Sequence, residues 1–304
     1  MHVQAEDPGQ TPPCGGDVTL AFDVGAQLGE GPSWVATTGE LLFVDILAST
    51  LFRANPASGA VQSRRLAQQI GAVVPRAGGG LLLALENGLW TIDADDGEPR
   101  LLVEVEGDDP ATRMNDGKCD RAGRFWGGTM AHTPTPGAGS LYRLEPDGAL
   151  ERVLEGVTIS NGLGWSPDDR TMYYIDTMSR RVDAFDFDIG RGTIANRRTF
   201  VDLAATTALP DGLAVDAEGG VWVAFYGGWG LHRYTGLGEL DRVLRLPVAN
   251  ATSCAFGGPE LADLYITTAT SGLSEAERAL QPAAGGVFHS RPGVAGLTEV
   301  PFAG

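Results

Sequence analysis

Trp165-Ser-Pro-Asp-Asp-Arg-Thr-Met-Tyr-Tyr-Ile-Asp176 is the stretch on which the reading of this chain turns. Its first half is turn chemistry, a Ser-Pro-Asp-Asp run, and its second half is an apolar strand that stops on an aspartate. The same pattern recurs along the sequence. Gly31-Pro-Ser-Trp34 leads through a Thr-Gly-Glu turn into Leu41-Leu-Phe-Val-Asp45, then into Leu51-Phe-Arg-Ala-Asn-Pro56 and the turn Ser58-Gly59. Further copies begin at Gly78, Asp120, Asp216 and Gly257, with strand-forming runs such as Leu81-Leu-Leu-Ala-Leu85 and Gly220-Val-Trp-Val-Ala224. Units spaced by roughly 40 to 50 residues have the period of a four-stranded propeller blade. The expected fold class is therefore all-β, a six-bladed β-propeller with four-stranded blades around a central channel. A β-sandwich also offers short strands and frequent turns, but it does not repeat a longer motif around the chain. Helix is expected only from Ser274, a natural N-cap followed by Glu275 and Glu277, to about Leu280.

Composition agrees with many short strands joined by turns. The chain has 304 residues, 43 of them glycine and 18 proline, without a collagen-like period. Apolar residues at 43% and charged residues at 20% describe a folded globular protein. Residues 1–17 read as a flexible polar arm and 18–304 as one propeller domain. A net charge of -17 repels phosphate backbones and anionic lipid, so neither nucleic acid nor membrane is expected as a partner. No apolar run reaches spanning length, no secretory leader is legible, and a cytoplasmic location is expected. Cys14, Cys119 and Cys254 have no CxxC spacing, which supports neither a disulfide framework nor a zinc cluster. Cys119 and Cys254 are expected as small core residues.

A propeller gathers its inner strand ends around one axis, so polar residues just before each core strand are the ones to inspect. Four segments qualify: Leu28-Gly-Glu30-Gly-Pro32, Arg113-Met-Asn115-Asp116-Gly117, Ser160-Asn161-Gly162 and Leu209-Pro-Asp211-Gly212. Asn-Gly and Asp-Gly are ordinary turn dipeptides, but four at equivalent blade positions point to a shared axial site. Glu30, Asn161 and Asp211 offer two carboxylates and an amide oxygen, a hard donor set that favours Ca²⁺, Mg²⁺ or Mn²⁺ over a Cys/His zinc site. Asp116 and Lys118 read as loop anchors. Asp45 and Asp176 read as strand ends that cap turns, and His132, His232 and His289 as surface histidines.

These segments, in this order, resemble the SMP-30/gluconolactonase/luciferin-regenerating family. The signatures are Leu28-Gly-Glu-Gly-Pro-Ser-Trp34, Arg113-Met-Asn-Asp-Gly-Lys-Cys-Asp120 with Gly128-Thr-Met130, Ile159-Ser-Asn-Gly-Leu-Gly-Trp-Ser-Pro-Asp168, Pro210-Asp-Gly-Leu-Ala214 and Cys254-Ala-Phe-Gly-Gly258. The resemblance implies one divalent ion, Ca²⁺ first and Mn²⁺, Mg²⁺, Zn²⁺ or Fe²⁺ as alternatives, held by Glu30, Asn161 and Asp211. It implies Asp211 as general base and Arg113 and Asn115 as substrate contacts. Tyr226-Gly-Gly-Trp-Gly230 is similar to a segment of bacterial sugar lactonases, which makes Trp229 a candidate wall for a sugar face. His132-Thr-Pro-Thr-Pro136 departs from the animal members, which carry an acidic residue there. The expected function is metal-dependent hydrolysis of a small-molecule sugar lactone (carboxylic ester hydrolase, EC 3.1.1) by a monomer or small homo-oligomer. The alternatives are a phosphotriesterase-like hydrolase and a calcium-binding regulatory propeller without catalysis.

Overall fold

The computed structural model describes residues 16–93 and 97–304. Residues 1–15 of the expected arm, with Cys14, lie outside the described residues. Six four-stranded antiparallel sheets follow one another around a ring. Blade 1 is Gly29–Val35, Glu40–Asp45, Thr50–Asn55 and Ala60–Arg65, and blade 2 is Ile70–Pro75, Leu81–Leu85, Gly88–Ile92 and Arg100–Glu104. Blade 3 comprises Thr112–Cys119, Phe125–Ala131, Gly139–Leu144 and Leu150–Val157. Blade 4 comprises Ser160–Trp165, Thr171–Asp176, Arg181–Asp188 and Thr193–Asp202. Leu209–Val215, Val221–Tyr226, Gly230–Tyr234 and Leu240–Arg245 form blade 5. Blade 6 takes Ala251–Gly257, Asp263–Thr268 and Val287–Ser290 from the far end of the chain and Val18–Phe22 from its beginning. Val18 pairs with Ser290 and Leu20 with Phe288, so the two ends of the chain close the ring within one blade.

Burial follows the distance from the axis. The innermost strands are almost wholly buried, whereas outermost strands such as Ala60–Arg65 and Arg100–Glu104 are mostly exposed. Core clusters lie between neighbouring blades, as where Trp222, Leu231 and Leu244 of blade 5 pack with Phe256, Leu264 and Ile266 of blade 6. The recurring aspartates carry the blade geometry. Asp45 accepts from the Gln27, Leu28 and Ala48 N–H groups, and Asp176 from those of Thr158 and Ile159, tying the second strand to the segment that enters the first. Both act as the strand-end caps expected of them. At the opposite end Asp216, fully buried, accepts from the Glu218 and Gly220 N–H groups, the Trp222 indole and Arg233, and Asp120 repeats this with Ala122, Arg124 and Trp126. The helix Glu275–Leu280 forms where expected, capped by a reciprocal box between Ser274 and Glu277. Among the described residues one 3-10 turn, Thr177–Ser179, forms in addition.

Candidate functional site in the axial channel

All four acidic or amide segments belong to innermost strands, not to loops in front of them. The turn reading of their Asp-Gly and Asn-Gly pairs is thereby replaced by a bulge. In blade 1 the pairing steps from Glu30–Val44 to Ser33–Leu42, three residues against two. Blade 4 steps from Ser160–Asp176 to Leu163–Tyr174, and blade 5 from Pro210–Phe225 to Leu213–Val223. Blade 3 shifts between Met114 and Gly117, and blades 2 and 6 shift at the same level. A bulge turns its side chain out of the pleat, and here every blade is bulged at one height of the channel. Blades 3, 4 and 5 supply Asn115 with Asp116, Asn161 and Asp211 from within the bulge and blade 1 supplies Glu30 from the last paired position before it, while blade 2 has Gly71 and blade 6 Thr252 in the bulge.

Two of the glycines after the polar residues, Gly162 and Gly212, serve close approach between blades. A Cβ on Gly212 would lie 2.1 Å from Ser253 Oγ, and one on Gly162 would lie 2.6 Å from Leu213 N. Of the four, only Gly31 takes a positive φ, +52°. Glycine is thus required at 162 and 212 because the inner strands converge on the axis, and at 117 because the Phe125 ring of its own blade fills the space.

The converging groups are buried and bonded to one another. Asn161 Nδ2 donates to Asp211 Oδ1 and, over 3.1 Å, to Thr177 Oγ1. Arg113 Nη1 donates to Asn115 Oδ1 at 2.7 Å and to the Met114 carbonyl at 2.9 Å, and Asn115 Nδ2 donates to the Ser160 carbonyl at 2.7 Å. Burial raises the Glu30 carboxyl well above the ordinary range, and the charges of Asp211 and Asp116 push the same way against Gly31 N–H and Arg113. Burial likewise raises Asp211, with Asp116 adding to it and hydrogen bonds with Asn161 and Glu30 opposing. Desolvation draws the Arg113 guanidinium down to about 10, against the attraction of Glu30 and Glu86.

Asp116 and Lys118 are not loop anchors. Both lie in the innermost strand of blade 3, and the Asp116 carboxyl, buried and bonded to Gly117 N–H at 2.7 Å, adds a third acidic group to the channel. Sequence reading missed this because Asp116 follows Asn115 directly, and only the bulge lets consecutive residues both serve the axis. Lys118 Nζ donates to the Leu213 carbonyl of blade 5 at 3.1 Å.

The donor set fits a divalent cation. Asn161 Oδ1 is buried without a hydrogen-bond partner, beside two carboxyls whose charge burial disfavours. An orphaned buried acceptor costs about 1–3 kcal/mol, and an oxygen-seeking cation satisfies it together with both carboxylates. Among the described residues no three His, Cys, Asp or Glu side chains are grouped to hold a metal ion, so a site here would need the Asn161 amide beside the two carboxyls.

The remaining sequence candidates lie around this centre. Trp229 is 44% exposed, with φ +60°, in the hairpin after Tyr226 at the channel end that carries Asp211. Tyr226 is near enough to Asp211 for the carboxylate to raise its phenol, behind the larger effect of burial. His132 is exposed on the 132–138 connection, and His289 bonds to Asp263 at 2.8 Å away from the channel. His232 differs from the surface reading: its ring packs on Phe225, and burial lowers it to about 4. Cys119 and Cys254 are buried, and desolvation pushes both thiols up, as expected of core cysteines.

Residues 28–270 match the family model described as SMP-30/Gluconolactonase/LRE-like region. The chain belongs to this family. Among relatives of the SMP-30/gluconolactonase/LRE-like family, regucalcin of Xenopus laevis is 40% identical over 285 residues, covering 91% of this chain and 95% of its own. The solved structure of regucalcin from Agrobacterium tumefaciens, a calcium-binding protein, superposes with a TM-score of 0.91 at 28% identity, over 94% of this chain and 97% of that one. A luciferin-regenerating enzyme superposes with a TM-score of 0.88 at 32% identity, over 95% and 100%. The family membership inferred from the ordered motifs and the six-bladed fold are both borne out. No helix among the described residues is long and apolar enough to cross a membrane.

Proposed function

We propose that this chain is a divalent-cation-dependent hydrolase that opens sugar lactones to aldonic acids. The observation that carries the reading is the meeting of Glu30, Asn161 and Asp211 at one height of the channel, with the Asn161 amide oxygen buried and unpartnered. Glu30, Asn161 and Asp211 would hold the cation, which supplies Lewis-acid stabilisation of the oxyanion developing on the lactone carbonyl.

The chain's own residues do the rest. Asp211 takes a proton from the water that attacks the carbonyl carbon; the acyl C–O bond of the ring then breaks, and the proton passes to the released ring oxygen. Arg113 is fixed through Nη1 to Asn115 and Met114, and a guanidinium has five N–H donors, so others remain for ring hydroxyls. Asn115, held by the Ser160 carbonyl, keeps Arg113 in place and presents its amide beside it. Trp229 would offer an apolar face to the sugar ring at the mouth.

The calcium-binding relative favours a second reading, cation binding without turnover. Both are tested by following hydrolysis of xylono-, arabinono- and gluconolactones with a pH indicator, using metal-stripped protein and protein resupplied with Ca²⁺, Mn²⁺, Mg²⁺, Zn²⁺ or Fe²⁺. Cation-dependent turnover above the spontaneous rate supports the lactonase. Tight binding with no turnover of any lactone would leave the binding role.

A further inference from the structure

Below the bulges the channel is closed by the last residues of the chain. Residues 291–304 run across the end opposite Asp211 as a strap. Ala217 N donates to the Ala295 carbonyl at 2.9 Å, Gly296 N to the Leu261 carbonyl at 2.7 Å, Phe302 N to the Pro75 carbonyl at 2.9 Å and Ala303 N to the Gly123 carbonyl at 3.0 Å. The strap is therefore tied to blades 5, 6, 2 and 3, and Phe302, fully buried, anchors it in the core between blades 2 and 3.

Between these ties Glu299 turns inward. Its Oε2 accepts from Ser33 Oγ at 2.6 Å and from Trp34 N at 3.2 Å, both in the strand that carries Glu30. Lys118, from the strand of Asn115 and Asp116, reaches instead to the Leu213 carbonyl at 3.1 Å, in the strand that carries Asp211. A cavity of about 70 Å³, lined by Ser33, Lys118, Cys119, Ala214, Thr298 and Glu299 among others, lies at this level. Burial raises the Glu299 carboxyl, and the Lys118 charge opposes it.

The two contacts land at equivalent points. Ser33 and Leu213 are each the first residue to regain pairing after the bulge of their strand. A bulge is where a ladder is interrupted and its strand can bend, so a bond to the residue just past it fixes how the side chain in the bulge (Asp211) or at its leading edge (Glu30) projects. The strap's own attachment, by backbone bonds and Phe302, does not explain why the half-buried Glu299 carboxylate gives up part of its hydration for the Ser33 and Trp34 donors.

We propose that Glu299 and Lys118 are positioning residues, which hold the strands of Glu30 and Asp211 just below their bulges and so set the spacing of the oxygen donors. The inference rests on the cation reading above, and its test reads binding instead of turnover. Metal-free wild type, Glu299→Ala, Glu299→Gln and Phe302→Ala are titrated with Mn²⁺, with free Mn²⁺ measured by electron paramagnetic resonance, and each metal-free protein is melted in parallel. Loss of a supporting contact weakens metal affinity by about 10- to 100-fold in known sites, and about tenfold is expected for Glu299→Ala. Glu299→Gln, whose amide oxygen still accepts from Ser33 and Trp34, restores most of the affinity. Phe302→Ala lowers the melting temperature more than Glu299→Ala does and leaves the Kd within about twofold.

A wild-type Kd in Glu299→Ala overturns the inference alone, as does a loss of affinity that merely tracks melting temperature across the three variants. A wild type that binds no Mn²⁺ removes the cation reading and this inference with it.

Discussion

Gly212→Ala separates a turn glycine from a packing glycine, because the two roles predict opposite signs. Gly212 is not among the positive-φ glycines, so alanine meets no backbone penalty there. At such a position the smaller freedom of the unfolded chain alone would stabilise the protein by about 0.4–1 kcal/mol. The added Cβ, however, would stand 2.1 Å from Ser253 Oγ, 2.5 Å from its Cβ and 2.8 Å from its Cα. The hydroxyl can rotate away, but the other two atoms cannot, which places the clash near the upper end of the usual overpacking cost of about 1–3 kcal/mol. The net expectation is a loss of about 2 kcal/mol. At about 2.1 cal/mol/K per residue over 304 residues, unfolding entropy is near 0.6 kcal/mol/K, so the melting temperature falls by about 3 °C. In a Ser253→Gly background only the clash with the backbone carbon is left, and the same substitution costs about half as much. The assay is thermal and urea unfolding of the four metal-free proteins. A Gly212→Ala protein that melts above wild type, or a penalty unchanged by Ser253→Gly, would refute the close approach of blades 5 and 6.

Three further outcomes follow from the same structure. Arg113→Lys removes the forked donor that holds Asn115 and Met114, and loss of charged hydrogen bonds worth about 1.5–3 kcal/mol lowers kcat/KM by roughly 10- to 100-fold in steady-state lactone kinetics. Asp216→Ala strands two backbone N–H groups, the Trp222 indole and a buried Arg233, which costs about 3–5 kcal/mol and about 5–8 °C of melting temperature, without changing cation affinity. Burial raises Glu30, Asp116 and Asp211 above their unfolded values, so in metal-free protein their contribution to stability is full below about pH 4 and is lost as pH rises through the raised folded values. Cation binding must then release protons, and calorimetric titration in buffers of different ionisation enthalpy gives heats that differ; buffer-independent heats contradict the protonated carboxyls.

The blade repeat was legible because it is local: each unit writes a turn, a strand and a terminal aspartate within a dozen residues, as at Trp165–Asp176 and Gly31–Asp45. The closing strand Val18–Phe22 was not, since its partner lies some 270 residues away and nothing in five alternating residues names it. Glu30, Asn115, Asn161 and Asp211 could be singled out because each precedes a glycine or an Asp-Gly pair at the same phase of the repeat. Their setting was misjudged, because Asp-Gly and Asn-Gly read as turns unless a neighbouring strand is known to press on the glycine. Asp116 escaped for the related reason that a regular strand cannot aim consecutive residues at one axis. Glu299 carried no local signal at all: it stands in an irregular tail, and only the tertiary path of residues 291–304 brings it beneath the channel.

The central claim is that the chemistry resides at the meeting point of Glu30, Asn161 and Asp211. The most direct measurement is the initial rate of sugar-lactone hydrolysis by Asp211→Ala beside wild type, each metal-stripped and then resupplied with saturating cation, with the spontaneous rate subtracted. Loss of the proton acceptor alone is expected to lower kcat by about 10²- to 10⁴-fold, and loss of a cation donor lowers it further. Turnover by Asp211→Ala equal to that of wild type would place the chemistry outside this channel.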